Sequence, residues 1–435
     1  MITLLDYGAG NVRSVVNALE SLGETVVRVN LPADIEKAER LVFPGVGNYG
    51  AMMQSLRAQQ LIEPLLRYLH EDRPFFGICV ALQALFDSSE EAPEELGLGI
   101  IPGRVKRFDT ELAIPHIGWN GIKVHQPSRI FHGFSGQEKL YFVHSYHVET
   151  THTADVLTTT DYGCEFVSSI QKGNIIATQF HPEKSGKAGL QLLENFLDTS
   201  REAVIPQSCP AETKLAERII ACLDVRSNDQ GDLVVTKGDQ YDVREGGDVR
   251  NLGQPVELAR TYYEQGADEV TFLNITAFRD FPLEDMPMME VLQKTSEKVF
   301  VPLTVGGGIR DFTDCNGKFY LALEVASEYF RSGADKISIG SDAVLIAEEV
   351  LKTGKATGLS SIEQIARVYG NQAVVISVDP RRVYVHAPDD TPHPVVETIF
   401  PGPEGEEYCW YSVLYEEGVK DEILMRLPWQ EYVSS

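Results

Sequence analysis

The strongest constraint on this chain is a repeated alternation of short apolar runs with amphipathic helical stretches. In the first two hundred residues, strands are expected at 2–6, 40–44 and 73–79, with helices at 11–22 and 80–86. β-rich runs follow at 140–147 and 174–179, and a helix at 189–197 closes the block. Alternation of this kind implies a mostly parallel sheet covered on both faces. Residues 199–214 are polar, contain Pro206 and Pro210 and lack apolar periodicity, which predicts a linker between domains 1–198 and 215–411.

Beyond the linker the pattern becomes a series of βα units. Strands are expected at 218–224, 269–275, 299–305, 335–340 and 372–379, with helices at 256–265, 321–332 and 361–369. Glycines and carboxylates at the strand ends suggest a (β/α) barrel, whose chemistry lies at the C-terminal ends of its strands. The first and last strands end alike, in Cys222-Leu223-Asp224 and Ser377-Val378-Asp379. In an eight-fold barrel those aspartates would face each other across the mouth. Only five of eight strands are legible before a Pro- and Glu-rich stretch and a divergent tail, 412–435. An incomplete barrel with exposed parallel edges is therefore expected, and such edges favour aggregation.

Composition narrows the function classes. Lys and Arg total 38 against 64 Asp and Glu, a net charge of −26. That field repels nucleic acid and anionic membranes, so neither is expected as a partner. The six cysteines show no C-x-x-C or zinc-type spacing, so neither a metal nor another cofactor is expected. Free thiols, no bilayer-length apolar run and a strand that starts directly after Met1 predict a reducing, cytoplasmic setting without a leader.

The chemistry concentrates in two segments. Phe75-Phe76-Gly77-Ile78-Cys79 is an apolar strand that turns at Gly-x-Cys into a helix. Such a corner exposes a thiol beside a helix N-terminus, a setting that favours thiolate. Gln179-Phe180-His181-Pro182-Glu183 then offers a base for the thiol and a carboxylate to orient that base. The Gly-x-Cys segment alone also fits a buried structural cysteine. The loops Gly8-Ala9-Gly10 and Gly45-Val46-Gly47 read as turns, or in the second case as part of an oxyanion hole at Gly47.

These residues resemble a known family over nearly the whole chain. Asp6-Tyr7-Gly8-Ala9-Gly10-Asn11, Pro115-His116-Ile117-Gly118-Trp119-Asn120 and Phe142-Val143-His144-Ser145-Tyr146 resemble the class I glutamine amidotransferase half of the imidazole glycerol phosphate synthases. Ala221-Cys222-Leu223-Asp224, Val235-Thr236-Lys237-Gly238 and Thr304-Val305-Gly306-Gly307-Gly308-Ile309 resemble the cyclase half, as in the fused fungal and plant forms. The resemblance implies a flavodoxin-like open sheet followed by the barrel, with no separate amidotransferase subunit. It implies Cys79 as nucleophile, His181 as proton shuttle and Glu183 as its orienting group. Gln83, His144, Ser145 and Tyr146 would hold glutamine with Gly47.

Ammonia would pass an entrance ring including Arg218, Glu269 and Lys336, which a structural salt bridge explains equally well. At the far mouth Asp224 and Asp379 would act as acid and base on a bis-phosphate ribulosyl-aminoimidazole carboxamide. Gly307, Gly308, Gly340 and Ser341 would cradle a phosphate, with Lys237 nearby. Two departures stand out: Ala81 replaces the second glycine of Gly-x-Cys-x-Gly, which predicts strain at the elbow, and the tail differs from the family's remaining strands. With that tail, the resemblance predicts weak or absent synthase activity. The alternatives are a glutaminase only, or a non-catalytic regulatory variant.

Overall fold

The computed structural model describes residues 1–8, 12–45, 47–208, 210, 212–227, 233–236, 244–245, 248–249, 254–275, 287–314, 316–378 and 380–413. In the first half, Ile2–Leu4, Val26–Arg28, Leu41–Phe43 and Phe75–Ile78 form a parallel block. The order runs second, first, third, fourth, the doubly wound order in which ligands gather at the carboxyl ends of the strands. Ile175–Thr178 joins this block, parallel to Phe75–Ile78.

The rest of that sheet departs from the expected mostly parallel arrangement. Arg104–Arg107, Tyr146–Glu149, Val156–Asp161 and Glu165–Lys172 all pair antiparallel to their main neighbours. Two of the antiparallel connections are short, from Val156–Asp161 to Glu165–Lys172 and from Glu165–Lys172 to Ile175–Thr178, where Gly173 takes φ +57°. A connection of that length joins only antiparallel neighbours; a parallel crossover needs a dozen residues or more.

Five parallel strands form the second half at the positions read from the sequence: Ile220–Ser227, Glu269–Asn274, Leu303–Gly306, Lys336–Ile339 and Val374–Ile376. A hairpin strand, Leu233–Thr236, adds antiparallel to the first. Among the described residues the first and fifth strands do not pair with each other. Residues 380–411, counted with the barrel domain from the sequence, form with 412 and 413 a separate three-stranded antiparallel sheet of Pro380–Val385, Val396–Glu397 and Tyr408–Val413. Along its central strand Cys409 and Trp410 are buried while Tyr411 is exposed. The tail from 414 onward lies outside the described residues.

The predicted linker is tied to the first half. Ser128 and Val204 exchange backbone hydrogen bonds at 3.1 Å, Thr213 N–H donates to Asp161 Oδ2 at 2.9 Å, and Ala216 N–H donates to the Trp119 carbonyl at 2.7 Å. The two halves also meet directly. Asn17 Nδ2 donates to Ser296 Oγ at 2.9 Å in a buried contact, and Lys184 Nζ pairs with Asp335 Oδ2 at 2.6 Å. Trp119 and Tyr141 of the first half pack into the apolar core of the second.

Candidate active site

Strand register builds the thiol site. Ile78 lies opposite Thr178 on adjacent parallel strands, so the residues that follow each strand emerge side by side. Cys79 N–H donates to the Thr178 carbonyl at 2.7 Å, and Gln179 Nε2 lies 3.5 Å from Cys79 Sγ. Cys79 has φ +54° and ψ −109°, a conformation that non-glycine residues enter only under constraint from their surroundings. The helix Val80–Ala84 follows at once, with the Ala81 methyl enclosed in the core. Directly beneath sits Gly45: a Cβ there would lie 2.3 Å from the Ile78 carbonyl oxygen and 2.4 Å from Ala81 N. The glycine that the elbow requires for close approach is therefore on the neighbouring loop.

His181 follows the same strand as Gln179. Its Nδ1 lies 2.8 Å from Glu183 Oε1, both side chains are buried, and among the described residues its Nε2 has no hydrogen-bond partner. Burial works against the imidazolium. The Glu183 carboxylate and Cys79 outweigh it and hold the His181 pKa well above its ordinary value. The carboxylate fixes the proton on Nδ1, leaving Nε2 to face the thiol chemistry.

Cys79 is not exposed, as the corner geometry alone predicted, but 8% accessible. The second half of the chain covers it. A cavity of about 70 Å³ is lined by Gly47, Cys79, His181 and Glu183 from one side and by Phe330, Lys336 and Tyr369 from the other. Gly47 takes φ +104° there.

The presumed glutamine-holding residues divide. Gln83 Nε2 donates to the Tyr146 carbonyl and to Gln179 Oε1, both at 3.1 Å. The His144 ring is buried among Phe108, Phe142 and Phe166, so its side chain belongs to the core. Ser145 accepts Phe108 N–H through its carbonyl at 3.1 Å. Two neighbours of these residues went unassigned in the sequence. Gln179 was visible only as a neighbour of His181. Glu91, whose pKa burial raises, has no motif at all; it accepts Tyr49 N–H at 2.9 Å and its charge acts on Tyr146.

In the second half, Arg218, Glu269 and Lys336 come together. Glu269 and Lys336 are buried and paired, Glu269 Oε1 also accepts from Thr304 Oγ1 at 2.8 Å, and Arg218 stands 3.6 Å from Glu269 Oε2. Burial lowers the Lys336 pKa, and Glu269 opposes that shift. Glu269 and Lys336 each open their strands, so this cluster marks the N-terminal end of the sheet.

Asp224 lies toward the other end, four positions beyond the Ile220–Glu269 pairing, or about 13 Å along the strand. Gly307 and Gly308 follow the third strand with φ +93° and +73°. A Cβ on Gly307 would strike the Asn274 carbonyl at 2.0 Å. Gly340 is the N-cap residue of the helix Ser341–Thr353, whose free N–H groups suit an anion. Lys237 and Asp379 lie outside the described residues. Outside both sites, ligand atoms of His386, Glu404 and Glu406 lie within 4.8 Å of one another in the loops beside the small antiparallel sheet.

A strand–cysteine–helix corner backed by a histidine–carboxylate pair, on a sheet of this order, has the form of a class I glutamine amidotransferase, here joined to a βα-repeat domain. The family model for glutamine amidotransferase class-I matches residues 3–199, and that for histidine biosynthesis protein matches residues 218–398. Imidazole glycerol phosphate synthase hisHF, chloroplastic, of Arabidopsis thaliana is 58% identical over 96% of this chain and 72% of its own length. The hisHF synthases of Schizosaccharomyces pombe and Emericella nidulans are 54% and 51% identical over 96% of the chain and 80% and 79% of theirs. The chain belongs to the fused imidazole glycerol phosphate synthase family.

Proposed function

We propose that this chain makes imidazole glycerol phosphate from glutamine and a ribulosyl-aminoimidazole carboxamide bis-phosphate, releasing aminoimidazole carboxamide ribotide. Cys79 thiolate attacks the glutamine side-chain carbonyl carbon, and His181 delivers its proton to the departing nitrogen. Ammonia leaves, and water attacking the glutamyl thioester releases glutamate and restores the thiol. Ammonia then enters the barrel past Arg218, Glu269 and Lys336. Asp224 and Asp379 manage the proton transfers of ring closure at the opposite end, and Gly307, Gly308, Gly340, Ser341 and Lys237 hold phosphate.

The shared cavity between Cys79 and Lys336 carries this reading, since it sets the source of ammonia against the N-terminal end of the barrel strands. The working division is 1–198, linker 199–214, barrel domain 215–411 and tail 412–435. A cytoplasmic location is supported by the four described cysteines being free thiols; the Arabidopsis relative is named chloroplastic. No helix among the described residues is long and apolar enough to cross a membrane.

The test is product formation with each nitrogen source. Cys79→Ala should abolish glutamine-dependent product while retaining turnover with ammonium salts. Retention of glutamine-dependent turnover would overturn the assignment of the nucleophile.

A further inference from the structure

A hydrogen-bonded chain of buried residues ends at the thiol site without belonging to its thiol–imidazole–carboxylate set. The strand His116–Asn120 pairs antiparallel with Leu140–His144, which sets His116 directly opposite His144. The His116 ring stacks on Tyr162 at 3.9 Å and on Phe142 at 4.9 Å between centroids. Only its two nitrogens remain for polar contact, and both have partners. His144 Nδ1 lies 2.7 Å from the Tyr146 carbonyl, His144 Nε2 lies 3.3 Å from His116 Nδ1, and His116 Nε2 lies 3.5 Å from Asn120 Nδ2.

The direction of every link is determined. A carbonyl only accepts, so His144 carries its proton on Nδ1 and presents Nε2 as an acceptor. His116 then donates from Nδ1, and its Nε2 accepts from the Asn120 amide. A second proton on His144 would force Nε2–H of His116 toward the Asn120 N–H₂, donor against donor. Burial keeps both rings neutral: it pushes His116 down to about 3, and it holds His144 well below the ordinary range with His116 adding to the effect. At the far end, the Tyr146 carbonyl also accepts from Gln83, which donates to Gln179, which donates to Cys79 Sγ.

We propose that His116 and His144 are positioning residues of the glutaminase, a neutral pair locked in one tautomer that fixes the Tyr146 carbonyl. Through that carbonyl they set the Gln83 and Gln179 amides and hence the direction of the Cys79 thiol. This role rests on Cys79 being the nucleophile. Packing alone would ask only for flat rings at 116 and 144, and phenylalanine would then serve as well.

Glutamate release by the full chain tests the role, with Cys79→Ser as the control for the nucleophile. His116→Phe and His144→Phe keep the ring stack and remove the links. Each should lower kcat/KM for glutamine by roughly 10- to 100-fold, the scale of a small misplacement of reacting groups. His144→Asn places an amide N–H where Nδ1–H stood and should recover most of that loss. In wild-type protein, ¹⁵N spectra should show both rings as the Nδ1–H tautomer. Phenylalanine variants within twofold of wild type would overturn the role, provided Cys79→Ser is inactive. If those variants do not fold, an Nε2–H tautomer at either ring in the wild-type spectrum would overturn it. An active Cys79→Ser would instead indict the nucleophile.

Discussion

Cys79 and Lys336 line one cavity although they belong to different halves of the chain. At about 70 Å³ the cavity has room for a few molecules of water size. It therefore fits the transfer of ammonia between two sites. Lys336 opens a barrel strand, so a molecule leaving the thiol starts at the N-terminal end of that sheet.

Removing the carboxylate from Glu183 should change pH dependence as well as rate. In Glu183→Gln only burial and Cys79 would act strongly on His181, and its pKa should fall. The alkaline limb of kcat/KM for glutamine, where the imidazolium is lost, should move to lower pH, with a rate loss of roughly 10²- to 10⁴-fold. The raised folded pKa also sets the sign for stability. The pair's contribution is complete below the ordinary value of 6.5 and is lost as pH rises through the raised value. The difference in Tm between wild type and Glu183→Gln should thus be widest in acid and narrow in alkali. A constant difference across pH would contradict the coupling.

Gly45→Ala should damage the elbow from outside it. The new methyl would meet the Ile78 carbonyl, Ala81 N and Val80 Cγ1 at 2.3, 2.4 and 2.8 Å, and two of these are main chain. Overpacking of this kind costs about 1–3 kcal/mol. Calorimetry should show a lower Tm together with lost glutamate release, and an unchanged Tm would show that the loop can yield.

Glu269→Ala should destabilise more than its double variant. It strands the buried Lys336 ammonium, and breaking a buried pair from one side costs about 3–5 kcal/mol. Glu269→Met combined with Lys336→Met removes both charges and should recover most of that loss in thermal unfolding. Ammonia transfer, read as product formed per glutamate released, should fall in both.

Lys184→Met should loosen the contact between the halves locally. Lys184 pairs with Asp335, whose Oδ2 also accepts the Leu303 amide, while the nearby Gly186 N–H donates to the Phe300 carbonyl at 2.9 Å. Hydrogen exchange should quicken at Gly186 and Leu303 and stay unchanged in the strand Ile2–Leu4. Uniform protection across both regions would show that the ion pair holds nothing in place.

What the sequence determined by itself was local. Apolar runs of strand length, the Gly-x-Cys corner and the His181–Glu183 spacing are all short-range patterns, and the five barrel strands formed where those patterns placed them. Antiparallel pairing after residue 104 and the small sheet of 380–413 escaped because partner choice depends on connections and long-range register, not on composition. The burial of Cys79, the Gly45 contact beneath it, the core placement of the His144 ring and the roles of Gln179 and Glu91 came only from tertiary structure. Each depends on segments distant in the chain being pressed together, as when the register of Ile78 against Thr178 sets Gln179 beside the thiol and the second half of the chain closes over both.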